Sequence, residues 1–204
     1  TPSLTYQLQP YGVGATLSNN ALSVSNKSTT YTNPIDSTGT LTLTTAASYG
    51  TLKVLYESVL AAAPLSVDAI VTFTDASTQT FANNPMVNWF TVGNTAFRGM
   101  GRTTPTGAIE CGSSPNFFPN LFELSLPISQ ANYGKLVQSV KFNVPEVKTS
   151  GTTPASVNYF HVLALGGNAP STGCFTSGPI SADSTFYVSA TSGNGSNQIS
   201  SHGI

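Results

Sequence analysis

Charge is what this chain has least of. Only 7% of its residues are Asp, Glu, Lys or Arg, against roughly 25% in an ordinary soluble domain. Lys and Arg number 7 and Asp and Glu 8, for a net charge of -1. No basic field exists to collect phosphates, so counterion release has almost nothing to work with, and nucleic acid is excluded as a partner. Long apolar runs are also missing: none approaches the ~18 to 20 residues that span a bilayer, and no membrane insertion is expected. No charged-then-apolar signal segment opens the chain at Thr1, which reads as a mature or processed product. Histidine and cysteine occur twice each. His161 and His202 lie far apart and neither Cys111 nor Cys174 sits in a C-x-x-C pair, so a zinc site has no support and no metal is assigned.

Neutral polar residues fill the space that charge leaves. Thr, Ser and Asn make up 70 of the 204 residues. Thr and Val fit a pleated surface whereas Lys and Glu favour helices, so the composition points to an all-β module solvated by hydroxyls and amides. Such chains are typical of secreted or cell-surface proteins. Cys111 and Cys174 are compatible with one disulfide in an oxidising compartment, or with two separate thiols; the sequence does not place their Cα atoms.

Strict alternation, the mark of a half-buried strand, dominates from Thr40 onward. Leu41 and Leu43 alternate with Thr40, Thr42 and Thr44. Val67, Ala69, Val71 and Phe73 alternate with Asp68, Ile70 and Thr72, and the turn residues at 75–78 lead into a second strand at Thr80 and Phe81, predicting a hairpin. Phe122, Leu124, Leu126 and Ile128 form another inward row, with Pro127 marking an edge or a strand end. Val140, Phe142 and Val144 face in, Lys141 and Asn143 out. VNYFHVLALGG is apolar on both faces, as in a central strand ending at Gly166 and Gly167. Residues 52–60 are ambiguous: Leu52, Leu55, Tyr56, Val59 and Leu60 fall at helical spacing, yet Leu52, Val54 and Tyr56 also alternate, and a sandwich needs a strand here. Strand is the reading adopted. Short alternations around Leu4, Tyr6, Leu8, Leu22 and Val24 complete the sandwich. The predicted organisation is an antiparallel β-sandwich over residues 1–166, followed by a linker and terminal strand, or the remnant of an Ig-like neighbour, over 167–204.

The succession TGTLTL, SYGTLKVL, VDAIVTFTDASTQTF, VNWFTVGNTAFRGMGR, PNLFELSLPI, GKLVQSVKF and VNYFHVLALGG resembles a jelly-roll module of large secreted or surface-anchored Bacteroidetes proteins that use type-nine secretion. The likeness runs from about Gly39 to Gly167. It implies a galactose-binding-like jelly roll and neighbouring domains in the same polypeptide, but no activity, because that fold serves sugar binding, adhesion and plain domain packing alike. Asp36-Ser37-Thr38 and Asp183-Ser184-Thr185 look like the O-glycosylation sequon of such organisms, which would modify Ser37 and Ser184. Galactose-binding-like folds often hold a structural calcium ion; Asp36 or Glu146 are conceivable ligands, but no D-x-D-x-D-G run assigns one.

The stretch from Ala82 to Asn120 is expected to be a long functional loop. It carries the only Trp and both Arg. Sugars offer C–H faces to aromatic rings and hydroxyls to amides and guanidinium groups, so Asn88, Trp89, Asn94, Arg98 and Arg102 are the candidate carbohydrate-binding residues. The competing structural roles are a Trp89 that plugs the sandwich end and arginines that tie the loop down through Glu110 or Asp68. Phe117 and Phe118, between prolines, read as a plug that seals the loop. Catalysis has little footing: no paired carboxylates and no G-x-S-x-G elbow occur. Tyr159 and His161, sharing one strand face, are the single hint of a polysaccharide lyase or hydrolase, and His161 is better read as a hydrogen-bonded core histidine. The expectation is a non-catalytic, extracellular carbohydrate-binding or adhesion module, with a ligand-free structural spacer as the alternative.

Overall fold

The computed structural model describes residues 4, 6, 21–26, 37–59, 66–99, 102–103, 108–110, 118–145, 158–170, 185–190 and 198–202, with backbone alone for 102–103, 109–110, 185–190 and 198–202. Two antiparallel sheets pack against each other as an all-β sandwich. The first holds, in spatial order, β1 (Leu22–Ser25), β11 (Tyr159–Asn168), β3 (Thr51–Val59), β9 (Asn120–Pro127) and β6 (Phe97–Arg98). The second holds β13 (Gln198–His202), β12 (Thr185–Ala190), β2 (Thr38–Ala47), β10 (Val137–Asn143), β4 (Ser66–Phe73) and β5 (Thr78–Pro85). A separate ladder joins β7 (Arg102–Thr103) to β8 (Ile109–Glu110). Every pairing is antiparallel.

The alternating residues do what their period predicts. Val67, Ala69, Val71 and Phe73 are all fully buried, as are Val137, Val140, Phe142 and Val144. Residues 52–60 resolve as strand through Val59. Leu52, Val54 and Tyr56 face the core, and Leu55, which supplied the helical spacing, is buried on the opposite face. On that outer face Tyr6 donates its hydroxyl to Glu123 Oε1 at 2.8 Å, and Glu123 lies across the ladder from Leu55. Leu4 reaches the same surface, where a Cβ on Gly166 would sit 3.0 Å from its Cδ1. An apolar residue on each face of one strand therefore imitates a helix.

Aromatic rings join the sheets. Phe142 of β10 meets Phe160 of β11 with centroids 5.5 Å apart, Phe160 meets Tyr56 at 5.3 Å, and Tyr56 meets Phe122 at 5.8 Å. All three contacts are tilted, the arrangement favoured by the ring quadrupoles. Gly39 of β2 lies against β1, where a Cβ would come within 2.6 Å of Leu22 Cδ1 and 2.9 Å of Val24 Cγ1. Any side chain there would have to push Leu22 and Val24 aside for the two sheets to close.

Strand β5 runs to Pro85, into the stretch expected to be irregular, and β6 to β8 interrupt the rest of it. Asparagine side chains explain why the pattern hides this. Asn84 Nδ2 donates to Val67 O at 2.9 Å and Phe81 O at 2.7 Å, and Asn83, at φ 55°, donates its N–H to Asp68 Oδ1 at 2.7 Å. The register slips between Val67 and Ala69, and amides satisfy the backbone where a plain ladder would have left a hydrophobic alternation. At the far end, β11 continues to Asn168, past the boundary expected at residue 166, and the backbone of β12 pairs with β2.

Phe142→Ala should cost about 3 to 5 kcal/mol in urea denaturation, the usual loss for a buried Phe. Phe97→Ala, at an exposed position, should stay within about 0.5 kcal/mol. Equal losses would contradict this placement of the core.

Candidate functional site

After Pro85 the chain crosses the end of the first sheet and is fastened to it along its length. Met86 is buried. Ser58 Oγ donates to Val87 O at 2.6 Å, and Trp89 N–H donates back to Ser58 O at 2.8 Å. Asn88 Oδ1 accepts the N–H of Phe90 at 3.0 Å and Asn88 O that of Thr91 at 2.7 Å, which turns the chain tightly. The other side of the loop is held by Ala96 N–H on Leu121 O at 2.8 Å and by Gly99 N–H on Pro119 O at 2.7 Å. Gly99 has to be glycine, because a Cβ there would stand 2.8 Å from Pro119 O.

Asn120 is the clasp. Its backbone N–H donates to Trp89 O at 2.8 Å, and its Nδ2 donates to Trp89 O at 3.0 Å and Thr91 O at 3.1 Å. Its Oδ1 is buried and has no hydrogen-bond partner among the described residues. Nothing in the sequence pattern marks Asn120 for this task, since it reads as the first residue of a strand.

The loop holds most of the expected residues at one end of the sandwich. Trp89 is half-buried, its ring 4.7 Å from that of Phe90 and tilted by 40°. Asn88 is half-buried and Asn94 exposed. Arg98 is exposed, pairs through its backbone with Asn120, and sets its guanidinium carbon 4.9 Å from the centre of the Phe118 ring. Phe118 is therefore a half-buried support for Arg98. Of the two expected anchors, Asp68 accepts from Asn83 and the Glu110 side chain lies outside what is described; Arg98 has no ion pair among the described residues. Arg102 lies in β7, paired through its backbone with Glu110. Cys111, Cys174, Ser184, Asp36, Glu146, Phe117 and His202's side chain lie outside what is described; Ser37 is described, and its carbonyl accepts Val144 N–H at 2.8 Å.

Two side chains that sequence reasoning passed over alter the site most. Val92 is 63% exposed and Phe97 61%, and only Leu136, at 44%, joins them as a large exposed hydrophobic among the described residues. Both belong to this loop and its strand. Exposed apolar side chains on one loop, on the same segment as Arg98 and Asn94, lie outside the core and are open to a partner. Position alone concealed Phe97, because F-R-G-M-G-R gives no alternation to show which way the ring points.

The outer face of the first sheet carries a second polar group. Ser23, His161 and Glu57 lie in register across β1, β11 and β3. Ser23 Oγ and His161 Nδ1 are 2.7 Å apart, and the imidazole stacks on Tyr159 with centroids 5.9 Å apart and planes 6° from parallel. His161 is thus hydrogen-bonded as expected, but it stands on the outward face of its strand and not in the core between the sheets. Burial holds its pKa below the usual imidazole range and pushes the Glu57 carboxyl above the usual carboxylate range. Glu57 has no hydrogen bond or ion pair with any described residue, so it does not complete a Ser-His-acid relay. Among the described residues no three His, Cys, Asp or Glu side chains converge as metal ligands.

No family model, no curated protein and no solved structure matches this chain.

Two measurements check this geometry. Asn120→Ala removes the clasp together with its orphaned oxygen, so the loss should be about 1 to 2 kcal/mol, less than two clean hydrogen bonds. Because the chain has one Trp, fluorescence should shift red in that variant; unchanged emission would mean that Asn120 does not hold the loop. Glu57→Gln should raise the melting temperature at pH 7. A raised folded-state pKa stabilises below the unfolded value and loses that contribution as pH rises, so the gain should vanish below about pH 4.5. A gain of equal size at pH 4 would assign it to packing.

Proposed function

We propose that this chain is a non-catalytic carbohydrate-binding or adhesion module, part of a larger secreted or cell-surface protein, and that the loop from Asn88 to Arg98 is its binding surface. The observation that carries the reading is the exposed ring of Phe97 beside Arg98, on backbone that Asn120 and Gly99 pin to the sheet. A sugar ring needs an apolar face to stack on and fixed polar groups around its rim. Along a sugar chain, Phe97, Val92 and the Trp89–Phe90 pair offer apolar faces to some rings, and Asn94 and Arg98 offer polar groups to their neighbours. Rigidity adds to the argument, since a loop already ordered loses little entropy when it binds.

Strand order supports the finer fold reading. With β6, β12 and β13 set aside, the eight remaining strands of the two sheets pair as β1 with β11, β2 with β10, β3 with β9 and β4 with β5. That is the nesting of one long hairpin folded over on itself, with strand order 1-8-3-6 facing 2-7-4-5, as a jelly roll requires. A galactose-binding-like jelly roll of the kind found in surface proteins of Bacteroidetes is consistent with this order and with a surface solvated by Thr, Ser and Asn. The linear motifs that suggested the resemblance each overlap one of these strands or the Trp89 loop.

Pull-down on a panel of insoluble polysaccharides tests the reading. Wild type should be retained on at least one glycan. Trp89→Ala and Phe97→Ala should each weaken retention roughly 5- to 10-fold, the size of one aromatic stacking contact. If no glycan is retained, or if both variants bind as wild type does, the loop is not a sugar site and the chain acts as a spacer between domains.

A further inference from the structure

Arg98 is equipped for more than the rim of a neutral sugar. Among the described residues Lys53 stands 3.7 Å from Glu123 Oε2 and Lys135 3.0 Å from Asp75 Oδ2, so each of these lysines has its own carboxylate. Arg98 has none among the described residues, and neither has the exposed Lys141 of β10, but Arg98 adjoins the loop, and none of its five N–H groups donates to a described residue. Its position is nonetheless fixed: the backbone pairs with Asn120 and the guanidinium packs over Phe118 at 4.9 Å. A solvent-facing cation held in place without a counter-charge, in a chain with 7% charged residues, is open to an anionic group from a ligand. The planar fork of a guanidinium matches a carboxylate with two parallel hydrogen bonds.

Given the glycan-binding role proposed above, we infer that the ligand is an acidic polysaccharide, whose uronate carboxylate docks on Arg98 while a neighbouring ring stacks on Phe97. Phe97 and Arg98 are consecutive residues of an extended strand, so their side chains leave opposite sides of the backbone. Among the described strands β6 is the last of its sheet, and its free edge lets a chain of sugars straddle it. A single ring cannot reach both side chains; a polymer with an acid group on every residue or every second residue can. Val92 of the same loop is exposed as well.

The test uses the full chain in affinity electrophoresis against polygalacturonate and alginate, each paired with its carboxyl-reduced counterpart, with wild type, Arg98→Gln, Arg98→Lys and Trp89→Ala. Wild type should bind at least one acidic polymer about 10-fold more tightly than the reduced form, the usual advantage of a charge-assisted bidentate contact. Arg98→Gln should lose that factor, so that it binds the acidic polymer about as tightly as the reduced one. Arg98→Lys should recover only part of it, because a point charge lacks the fork. Equal binding of acidic and reduced polymers by wild type, or undiminished binding of the acidic polymer by Arg98→Gln, overturns the acidic-ligand inference. The glycan reading survives that result if Trp89→Ala still loses both polymers. If wild type is retained by no polymer here and by none in the wider panel, both fail together. Arg98→Gln should melt as wild type does, since the side chain is exposed, so lost binding is not lost folding.

Discussion

The contact of Phe142 with Phe160 is the join on which the rest of the molecule depends. It ties a central strand of one sheet to a central strand of the other, and Tyr56 and Phe122 extend it across the first sheet. Once those rings fix the separation of the layers, the end of β3 and the start of β9 are fixed too. Ser58 and Asn120 then lie where they can grip the chain between Val87 and Thr91. The loop is therefore ordered by the core, two residues away from it on each strand, although it contributes little to the core itself.

Scarcity of charge has two consequences that pull together. A surface built from Thr, Ser and Asn has weak fields, so it neither attracts polyanions at large nor repels neutral polymers. Against that background the guanidinium of Arg98, set over Phe118, is a sharp feature, because no described carboxylate pairs with it. The paired lysines sit elsewhere, one on the outer face of the first sheet and one at the β4–β5 turn, where Lys135 Nζ also donates to Ser77 Oγ at 2.6 Å. Their partners hold the pleat and the turn. Arg98, exposed like Lys141 of β10 and likewise without an ion pair among the described residues, is the one that adjoins the loop, which is why the proposed ligand carries the missing charge.

Much of the sandwich is legible in the sequence because burial on one face imposes a period of two, and Val67 to Phe73 or Val137 to Val144 display it without interruption. Residues 52–60 were harder, since Leu55 is buried on the outer face beneath the amino-terminal residues, and burial on both faces erases the period. The extension of β5 to Pro85 escaped because Asn83 and Asn84 close its ladder with side-chain amides. In the candidate site the sequence points to Trp89 and Arg98 by rarity, but rarity says nothing of exposure. Phe97 became prominent only once β6 was seen to be an edge, and Asn120 only once its three hydrogen bonds were seen to converge on the loop. His161 shows the reverse error: a residue within an apolar run faces outward, because a strand in the middle of a sheet still has an outside.

Backbone amide shift mapping by NMR, with the full chain titrated by an oligogalacturonide, tests the central claim most directly. The account predicts saturable shifts clustered on residues 88–98 and 118–121, with the amides around Tyr159 and His161 unmoved. Saturable shifts confined to the outer face of the first sheet, with the loop silent, would contradict it.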